Sequence, residues 1–306
     1  MARKLRFIPD PHTLVSITGR TIQGRFLFKP GSAFNDRLLG ILGRAQRRHN
    51  LTLISISVLS NHFHILAVPE STKQLAAFMR DLKSKLARET NRLTGWSGPV
   101  FERRYEMTVV TGEEAAQIER LEYVLAQSVK EGLVERVREW PGVHSAAALI
   151  DGTPLVGHWF DRTREYAARN QREEITPLQF TTEEAVILSQ IPCWAHLPSE
   201  VYRARVAGLV ERIETEAALA RSLQGTSVLG VEAILEKDPQ HRPAAIDASP
   251  APLVHAATKA ARKAFYDAYA WFVATFREAA ERLRQGDRTA PFPGGSFPPA
   301  LPFVAG

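Results

Sequence analysis

The chain has 306 residues, of which 44% are hydrophobic and 24% are charged. This length predicts two domains, or one domain with a long extension, and either arrangement can bury a sizeable core. No apolar stretch reaches the roughly 18 to 20 residues that a membrane-spanning helix needs. The start of the chain lacks the apolar segment of a secretory signal. We therefore expect a soluble protein of the cytoplasm, and not a membrane or secreted protein.

The positive charge is concentrated at the start of the chain. Residues 1–100 contain 16 Lys and Arg against five Asp and Glu, whereas residues 101–150 contain six against nine, and residues 151–306 contain 17 against 19. Such asymmetry is typical of a protein that binds a phosphate backbone. Solvated Lys and Arg faces without any ligand give similar counts, so charge alone leaves both interpretations open.

The first half of the chain alternates strand and helix patterns in one order. Apolar residues at every second position predict strands, and apolar stripes at helical spacing predict amphipathic helices. The order β-α-β-β-α-β-α predicts an α+β fold, a ferredoxin-like antiparallel sheet with helices on one face and an extra helix appended. The predicted strands are 12–19, 51–58, 62–68 and 107–110, and the predicted helices are 33–49, 72–93 and 113–130, the last closed by Gly132.

The second half of the chain has a different sequence pattern. Residues 141–200 are predicted to be loop-rich, and two long helices are predicted over 199–223 and 254–286. Prolines near the end predict an irregular tail that is either flexible or laid across the surface. We therefore divide the chain into a first domain at 1–150, a mainly helical region of unassigned role at 151–290, and a Pro- and Gly-rich tail at 291–306.

Two histidines in the third predicted strand are candidate metal ligands. His62 and His64 are two residues apart, so both imidazoles lie on one face of the strand while Phe63 points to the core side. This geometry presents two ligands together. The alternative is that they are polar residues on a solvated strand face, and the His-x-His pattern by itself does not decide between the two.

A tyrosine and a glutamine share one face of the helix predicted over 113–130. Tyr123 and Gln127 are four residues apart, which places the phenol and the amide one turn from each other. The carbonyl oxygen of Gln127 could complete a metal site. The alternative is that Tyr123 packs against the sheet with its hydroxyl at the rim, as tyrosines on amphipathic helices commonly do.

Three segments in this order resemble the HUH endonucleases, and specifically the REP-associated group of single-tyrosine transposases. The segments are Ser60 to Leu66 (SNHFHIL), Phe101 to Tyr105 (FERRY) and Tyr123 to Val134 (YVLAQSVKEGLV). Relatives have Asn-Pro where this chain has Gln127 and Ser128, but a glutamine there is similar to the metal ligand of the wider single-tyrosine group. The resemblance covers roughly residues 12–150.

The resemblance implies a chemistry and a set of partners. Mg²⁺ or Mn²⁺ held by His62, His64 and Gln127 would polarise a phosphate of single-stranded or hairpin DNA. Tyr123 would attack it, giving a 5′-phosphotyrosine and a free 3′-hydroxyl that allows the strand to be rejoined without ATP. Such an enzyme would be associated with the nucleoid. Relatives occur as homodimers and as monomers, so the resemblance leaves both states open.

Cations and an aromatic ring near this site are candidates for contacts to a single strand, since they suit the backbone and exposed bases. Each is equally compatible with a solvated surface group. Tyr105 is also a rival nucleophile, but it lies in a predicted loop without a same-face partner for the metal. The candidates are Arg20, Arg25, Lys83, Arg103, Arg104 and Tyr105.

Two other functional classes fit the sequence. A protein with the same fold could bind DNA hairpins for regulation without cutting them. Alternatively, the helix predicted over 254–286 could be a partner-binding surface, although its aromatic stripe is more typical of a core. Salt-sensitive DNA binding would separate the partner-binding class from the other two.

Overall fold

The structure is a computed structural model that describes residues 4–171, 175–244 and 251–300. None of the helices in these ranges is both long and apolar enough to cross a membrane. The strands are β1 Val15–Arg20, β2 Thr52–Val58, β3 His62–Val68, β4 Glu106–Val110, β5 Leu155–Phe160, β6 Thr181–Val186 and β7 Val254–His255. The helices are α1 Ser32–His49, α2 Thr72–Thr94, α3 Glu114–Leu125, α4 Gln127–Lys130, α5 Ala146–Asp151, α6 Arg162–Asn170, α7 Ser199–Gln224, α8 Val231–Glu236 and α9 Lys259–Arg284.

A five-stranded sheet in the order β2-β3-β1-β4-β7 is the centre of the fold. The first four strands pair antiparallel, and the short β7 pairs parallel with β4. In the register between β1 and β3, Thr18 lies opposite His64 and Arg20 lies opposite His62. The predicted α+β class is confirmed, and the elements predicted in the first half are present within three residues of their expected bounds, except at the end of the last helix.

The two faces of the sheet bury different cores. On one face, Phe63 and Ile65 of β3 pack in a core with α1 and α2. On the other, Leu66 of β3 packs in a core with α3, where Leu121 and Val124 are fully buried. The expectation of helices on one face is therefore wrong in this detail. Side chains alternate across a strand, so α3 faces the same side of β3 as His62 and His64.

A β-bulge in β2 reverses which positions of the strand face each core. The register with β3 shifts between Leu53 and Ser55. Leu53 and Ile56 consequently both enter the α1–α2 core, although they are three residues apart, and Ile54 enters the opposite core. The extra residue of a bulge allows this reversal without breaking the strand.

The helix predicted over 113–130 divides at Ala126 into α3 and α4. The side-chain amide of Gln127 donates to the carbonyl oxygen of Tyr123 at 2.7 Å, which is the acceptor that the backbone N–H of Gln127 would use in a continuous helix. A side chain competing for a backbone acceptor is a common cause of such a break. Gly132 follows α4 with φ of 64°, as expected for a helix-terminating glycine.

The second half of the chain is more ordered than its sequence pattern indicates. Residues 141–200, predicted to be loop-rich, contain a hairpin of β5 and β6 as well as α5 and α6. No tight-turn signal marks this hairpin, because α6 lies between its strands. The helix predicted over 199–223 is α7, whereas the one predicted over 254–286 begins only at Lys259, where Thr258 caps it.

The second and third predicted parts of the chain pack on the first. The β5–β6 hairpin lies on α1, and β7 extends the central sheet. The tail segment 291–300 lies on α2, where the Thr72 hydroxyl donates to the carbonyl of Gly295. Residues 301–306 of the predicted tail lie outside the described residues. The division at residue 150 stays a prediction.

Gly40 of α1 allows the β5–β6 hairpin to pack closely on this helix. A Cβ built on Gly40 of α1 would lie 2.1 Å from the carbonyl carbon of His158 and 2.4 Å from the backbone nitrogen of Trp159. Backbone atoms cannot move aside cheaply, so Gly40→Ala should lower the free energy of unfolding by about 1–3 kcal/mol. Urea denaturation measures this change.

Gly208 in α7 is the matched control, because a Cβ there meets no atom of the described residues within 4 Å. Gly208→Ala should be neutral or stabilising by up to about 1 kcal/mol, since alanine is the better helix former. Equal effects of the two substitutions would contradict the close packing of the hairpin on α1.

Candidate active site

The two histidines and the tyrosine meet between β3 and α3. The rings of His62 and His64 lie 4.9 Å apart between centroids and are perpendicular to each other. The ring of Tyr123 lies 5.3 Å from that of His64, also edge to face. His64 is buried, whereas His62 and Tyr123 are half-buried. The structure therefore brings together the residues that the two separate sequence patterns indicate.

Hydrogen bonds to the Nδ1 atoms orient both imidazoles. The Asn61 side-chain oxygen lies 2.6 Å from Nδ1 of His62, and the Thr18 hydroxyl lies 3.1 Å from Nδ1 of His64. An amide oxygen only accepts, so Nδ1 of His62 carries the proton and Nε2 carries a lone pair. A hydroxyl is able to accept from His64 in the same way. Partners of this kind fix the tautomer of metal-binding histidines.

Both imidazoles are held in the neutral form that a metal ligand requires. Burial, and then the charge of Arg20, lowers the pKa of His62 to about 4. Burial, together with the charges of His62 and Arg120, lowers the pKa of His64 well below its ordinary value. The neighbouring side chain of Gln127 favours the charged form of each imidazole and so opposes these shifts without cancelling them.

Gln127 is buried beside the pair. Because its NH₂ group donates to the Tyr123 carbonyl, its side-chain oxygen is the atom left to face the imidazoles. Nε2 of His64 is buried and has no hydrogen-bond partner among the described residues. An unpartnered buried nitrogen is costly in a folded protein unless something else binds it. Two imidazole nitrogens and one amide oxygen fit a divalent cation.

Two cations flank the tyrosine ring. The guanidinium of Arg120 lies 4.5 Å from the centroid of the Tyr123 ring, and the ammonium of Lys130 lies 5.5 Å from it. Arg120 is one turn before Tyr123 on α3, so both lie on one side of the helix. These cations are placed to balance negative charge on the phenol oxygen or on a phosphate beside it. Sequence analysis missed both, although the i, i+3 spacing of Arg120 was a usable signal.

A cavity of about 700 Å³ opens over these residues. Its floor comes from β1, β3 and α3, and its wall includes Leu229, Ile234 and Lys237 from the second half of the chain. Sequence analysis assigned no chemistry to that half. The backbone N–H groups of Leu229 and Gly230 donate to carbonyls of Gly132 and Leu133, which fixes the wall next to the end of α4.

The predicted DNA-binding residues are divided between two regions. Arg20 lines the cavity with the histidines. Arg25 lies 4.8 Å over the Trp96 ring and donates to the carbonyl of Gln240. Arg103 is exposed, and its carbonyl accepts from Lys83 at 2.6 Å. Lys83, Arg104 and Tyr105 line a different cavity.

Tyr105, the rival nucleophile, is buried away from the histidines. It packs in the α1–α2 core, and its hydroxyl accepts a hydrogen bond from Arg6. Burial raises the pKa of its phenol above the ordinary value. Neither position nor protonation state suits it for attack at the cavity of His62 and His64.

No cluster of three or more His, Cys, Asp or Glu side chains able to hold a metal occurs within the described ranges. The candidate set at this site is instead two histidines and one amide. The metal therefore stays a prediction for which the three residues provide suitable donors.

Comparison with known proteins finds a family match over part of the first half of the chain. Residues 25–127 match the family model described as Transposase IS200 like. This segment includes His62, His64, Tyr123 and Gln127, and the match confirms the resemblance drawn from the sequence motifs. No protein with a curated description matches the sequence.

Two solved structures are similar over part of the chain. One is a REP-associated tyrosine transposase bound to a REP hairpin, with 16% identity, 49% of this chain and 86% of that chain covered, and a TM-score of 0.41. The other is a candidate transposase from Deinococcus radiodurans R1, with 18% identity, 40% and 95% covered, and a TM-score of 0.28. We draw no functional conclusion from similarities this low.

The buried imidazoles predict a pH dependence of stability. His62 and His144 have pKa values of about 4 in the folded protein, and the pKa of His64 is also lowered, whereas an unfolded histidine titrates near 6.5. Only the unfolded chain takes up these protons between pH 6.5 and 4. The contribution of these histidines to the free energy of unfolding is therefore fully present above about pH 6.5. It is lost as the pH drops, by up to about 1.4 kcal/mol per pH unit for each histidine.

Urea denaturation with a metal chelator present, at pH 7.5 and pH 5, measures this loss. His144→Gln should make the difference between the two pH values smaller, because one of the three protons no longer contributes. An unfolding free energy that is the same at both pH values would contradict the burial of the neutral rings.

Proposed function

Residues 25–127 match the IS200-like transposases, and from this premise we propose that the protein cuts and rejoins single-stranded DNA with Tyr123 as the nucleophile. The observation that carries the proposal is the position of the Tyr123 ring, whose centroid lies 5.3 Å from that of His64, in a cavity where Nε2 of His64 has no hydrogen-bond partner within the part of the chain that the structure describes. A neutral histidine pair beside a half-buried phenol suits phosphoryl transfer better than it suits packing alone.

The reaction exchanges one phosphate ester for another. The Tyr123 oxygen attacks the scissile phosphorus, an O–P bond to tyrosine forms, and the bond from phosphorus to the 3′ oxygen breaks. The phenol gives up its proton and the departing 3′ oxygen gains one. The product is a 5′-phosphotyrosine and a free 3′-hydroxyl. Attack by a 3′-hydroxyl reverses the step, so strands are rejoined without ATP.

The residues around the phenol have separate roles in this scheme. His62, His64 and Gln127 would hold Mg²⁺ or Mn²⁺, which would supply Lewis-acid polarisation of the phosphate. Asn61 and Thr18 orient the imidazoles through Nδ1. Arg120 and Lys130 balance the charge of the attacking oxygen and the phosphate.

Single-stranded or hairpin DNA is the proposed partner, and the cytoplasm, at the nucleoid, is the proposed location. The excess of Lys and Arg in residues 1–100 supports a polyanionic partner. Arg20 in the cavity, and Arg25 stacked on Trp96 near its rim, are the predicted strand contacts that lie in this region. Arg103, Lys83, Arg104 and Tyr105 stay predictions for contacts farther away.

Covalent capture tests the nucleophile. Purified protein is incubated with labelled hairpin DNA from beside its own gene and Mn²⁺, then run on a denaturing protein gel. Wild type should give a labelled adduct, and Tyr123→Phe should give none, because the ester cannot form without the phenol oxygen.

Tyr166→Phe is the matched control, because this tyrosine is 68% exposed on α6. It should form the adduct at the wild-type level. Tyr105→Phe should still form the adduct, because Tyr105 is not the nucleophile. Tight binding of the DNA by wild type and Tyr123→Phe, with no adduct from either, would reject strand transfer in favour of a hairpin-binding regulator that does not cut.

A second variant tests the cation over the ring. Arg120→Ala should lower the rate of adduct formation at saturating DNA by about 10- to 100-fold, because charge balance at the reacting oxygen is lost. Arg120→Lys should recover part of the rate, since it restores the charge. Single-turnover kinetics give the rate, and filter binding gives the affinity. An effect confined to affinity would assign Arg120 to DNA binding instead.

A further inference from the structure

A segment from the second half of the chain, residues 237–243, crosses the rim of the active-site cavity, and we call it the rim segment. Lys237 lines the cavity. A Cβ built on Gly24 would lie 3.5 Å from the ring of Pro243 and 3.9 Å from a guanidinium nitrogen of Arg20. Arg20 lies opposite the first of the two site histidines in the sheet. The rim segment is therefore placed beside the part of the sheet at which the imidazoles lie.

Hydrogen bonds hold the rim segment in one conformation. Arg25 donates to the carbonyl of Gln240, and the side-chain amide of Gln240 donates to the carbonyl of Thr94 at 3.2 Å. Within the segment, the Asp238 carboxylate accepts from the backbone N–H of Gln240 at 2.9 Å. The backbone N–H of His241 donates to the carbonyl of Asp238 at 3.0 Å. A side chain carried by such a segment is preorganised for contact with a ligand.

Two planar stacks lie at the rim. The ring of His241 is 5.4 Å from that of Phe26 between centroids and 25° from parallel, and Phe26 also lines the cavity. The Arg25 guanidinium lies 4.8 Å from the centroid of the Trp96 ring. His241 is exposed and the other three residues are half-buried, so each stack has surface available for a further contact. Aromatic rings and guanidinium planes are the surfaces on which proteins stack unpaired bases.

Charge distinguishes this rim less than its rings do. The rim segment contains two cations, Lys237 and Arg242, and two carboxylates lie at the same place, on Glu236 and Asp238. These formal charges cancel, so the segment adds little to the electrostatic attraction of a phosphate backbone. The planar stacks are therefore the feature that needs a ligand with flat faces.

We propose that the rim segment is a base-stacking site for the single strand that enters the active-site cavity, with one unpaired base on the His241–Phe26 stack and a neighbouring base on the Arg25–Trp96 stack. The inference rests on the proposed function, because it takes single-stranded DNA as the ligand. The segment lies outside residues 25–127, so the family match does not account for it. Bases of a duplex are already stacked and paired with one another, so this site favours single strands over duplexes.

Binding is measured by fluorescence anisotropy on the full-length Tyr123→Phe protein with a metal chelator present, so that no strand is cut. The ligands are a labelled single strand of mixed sequence and the blunt duplex of the same sequence. Adding His241→Ala should weaken the single strand at least fivefold, the lower end of what one stacked base contributes, and should leave the duplex unchanged. His241→Phe should retain the affinity for the single strand, because it keeps a flat ring.

Trp96→Ala should weaken the single strand with the same selectivity, and thermal melts check that this half-buried site still folds. The matched controls are His196→Ala and Trp271→Ala, exposed residues that do not line the active-site cavity. Both controls should bind as the Tyr123→Phe parent does. Unchanged single-strand affinity in His241→Ala would overturn the proposal. Equal weakening of single strand and duplex would also overturn it, because the segment would then contact the backbone and not the bases.

An abasic scan locates the stacked base. In hairpin DNA with a single-stranded flank, each flank nucleotide is replaced in turn by an abasic unit. Affinity for the Tyr123→Phe parent should fall at the stacked position, and His241→Ala should cause no further loss with that strand. Losses that add at every position would overturn the contact between base and ring. None of these measurements depends on cleavage, so the rim site and the Tyr123 chemistry can each fail while the other stands.

Discussion

The packing of α3 on the sheet is the interaction on which the site depends. Leu66 of β3 shares a core with Leu121 and Val124 of α3, and this contact fixes the helix over the strand. His62 and His64 lie on the same face of β3 as Leu66, and Tyr123 precedes Val124 by one residue. The apolar contact therefore sets the distance between the phenol and the imidazoles. A shift of α3 by one turn would displace the phenol by about 5.4 Å along the helix axis and away from the imidazoles.

The second half of the chain completes both cavities. Residues Leu229 to Lys237 form a wall over the histidines, and the stacked rings of Phe26 and His241, 5.4 Å apart, hold the following segment near the rim. On the other side of the sheet, α9 and the tail supply Phe272 and Phe297. An extension without recognisable motifs thus contributes to ligand-sized spaces on both sides of a sheet whose own residues carry the chemistry. Truncation at residue 150 would expose both.

Local patterns predicted the elements of the first half because each pattern is set by near neighbours. The strand His62–Val68 and the pairing of Tyr123 with Gln127 on one helical face are of this kind. The hairpin of β5 and β6 was missed because its strands pair across α6, with no turn signal between them. The placement of Tyr105 depends on which side of the sheet its loop crosses, and the role of Arg120 depends on the rotation of α3. Spacing along the chain does not encode the first, and for the second it shows only that Arg120 and Tyr123 share one side of the helix.

The most direct test of the account is to find which peptide carries the DNA after covalent capture. Trypsin separates the two rival tyrosines, because residues 121–130 contain Tyr123 alone and residues 105–120 contain Tyr105 alone. After nuclease trimming, mass spectrometry should find the added nucleotide mass on the 121–130 peptide. The same mass on the 105–120 peptide would contradict the site described between β3 and α3.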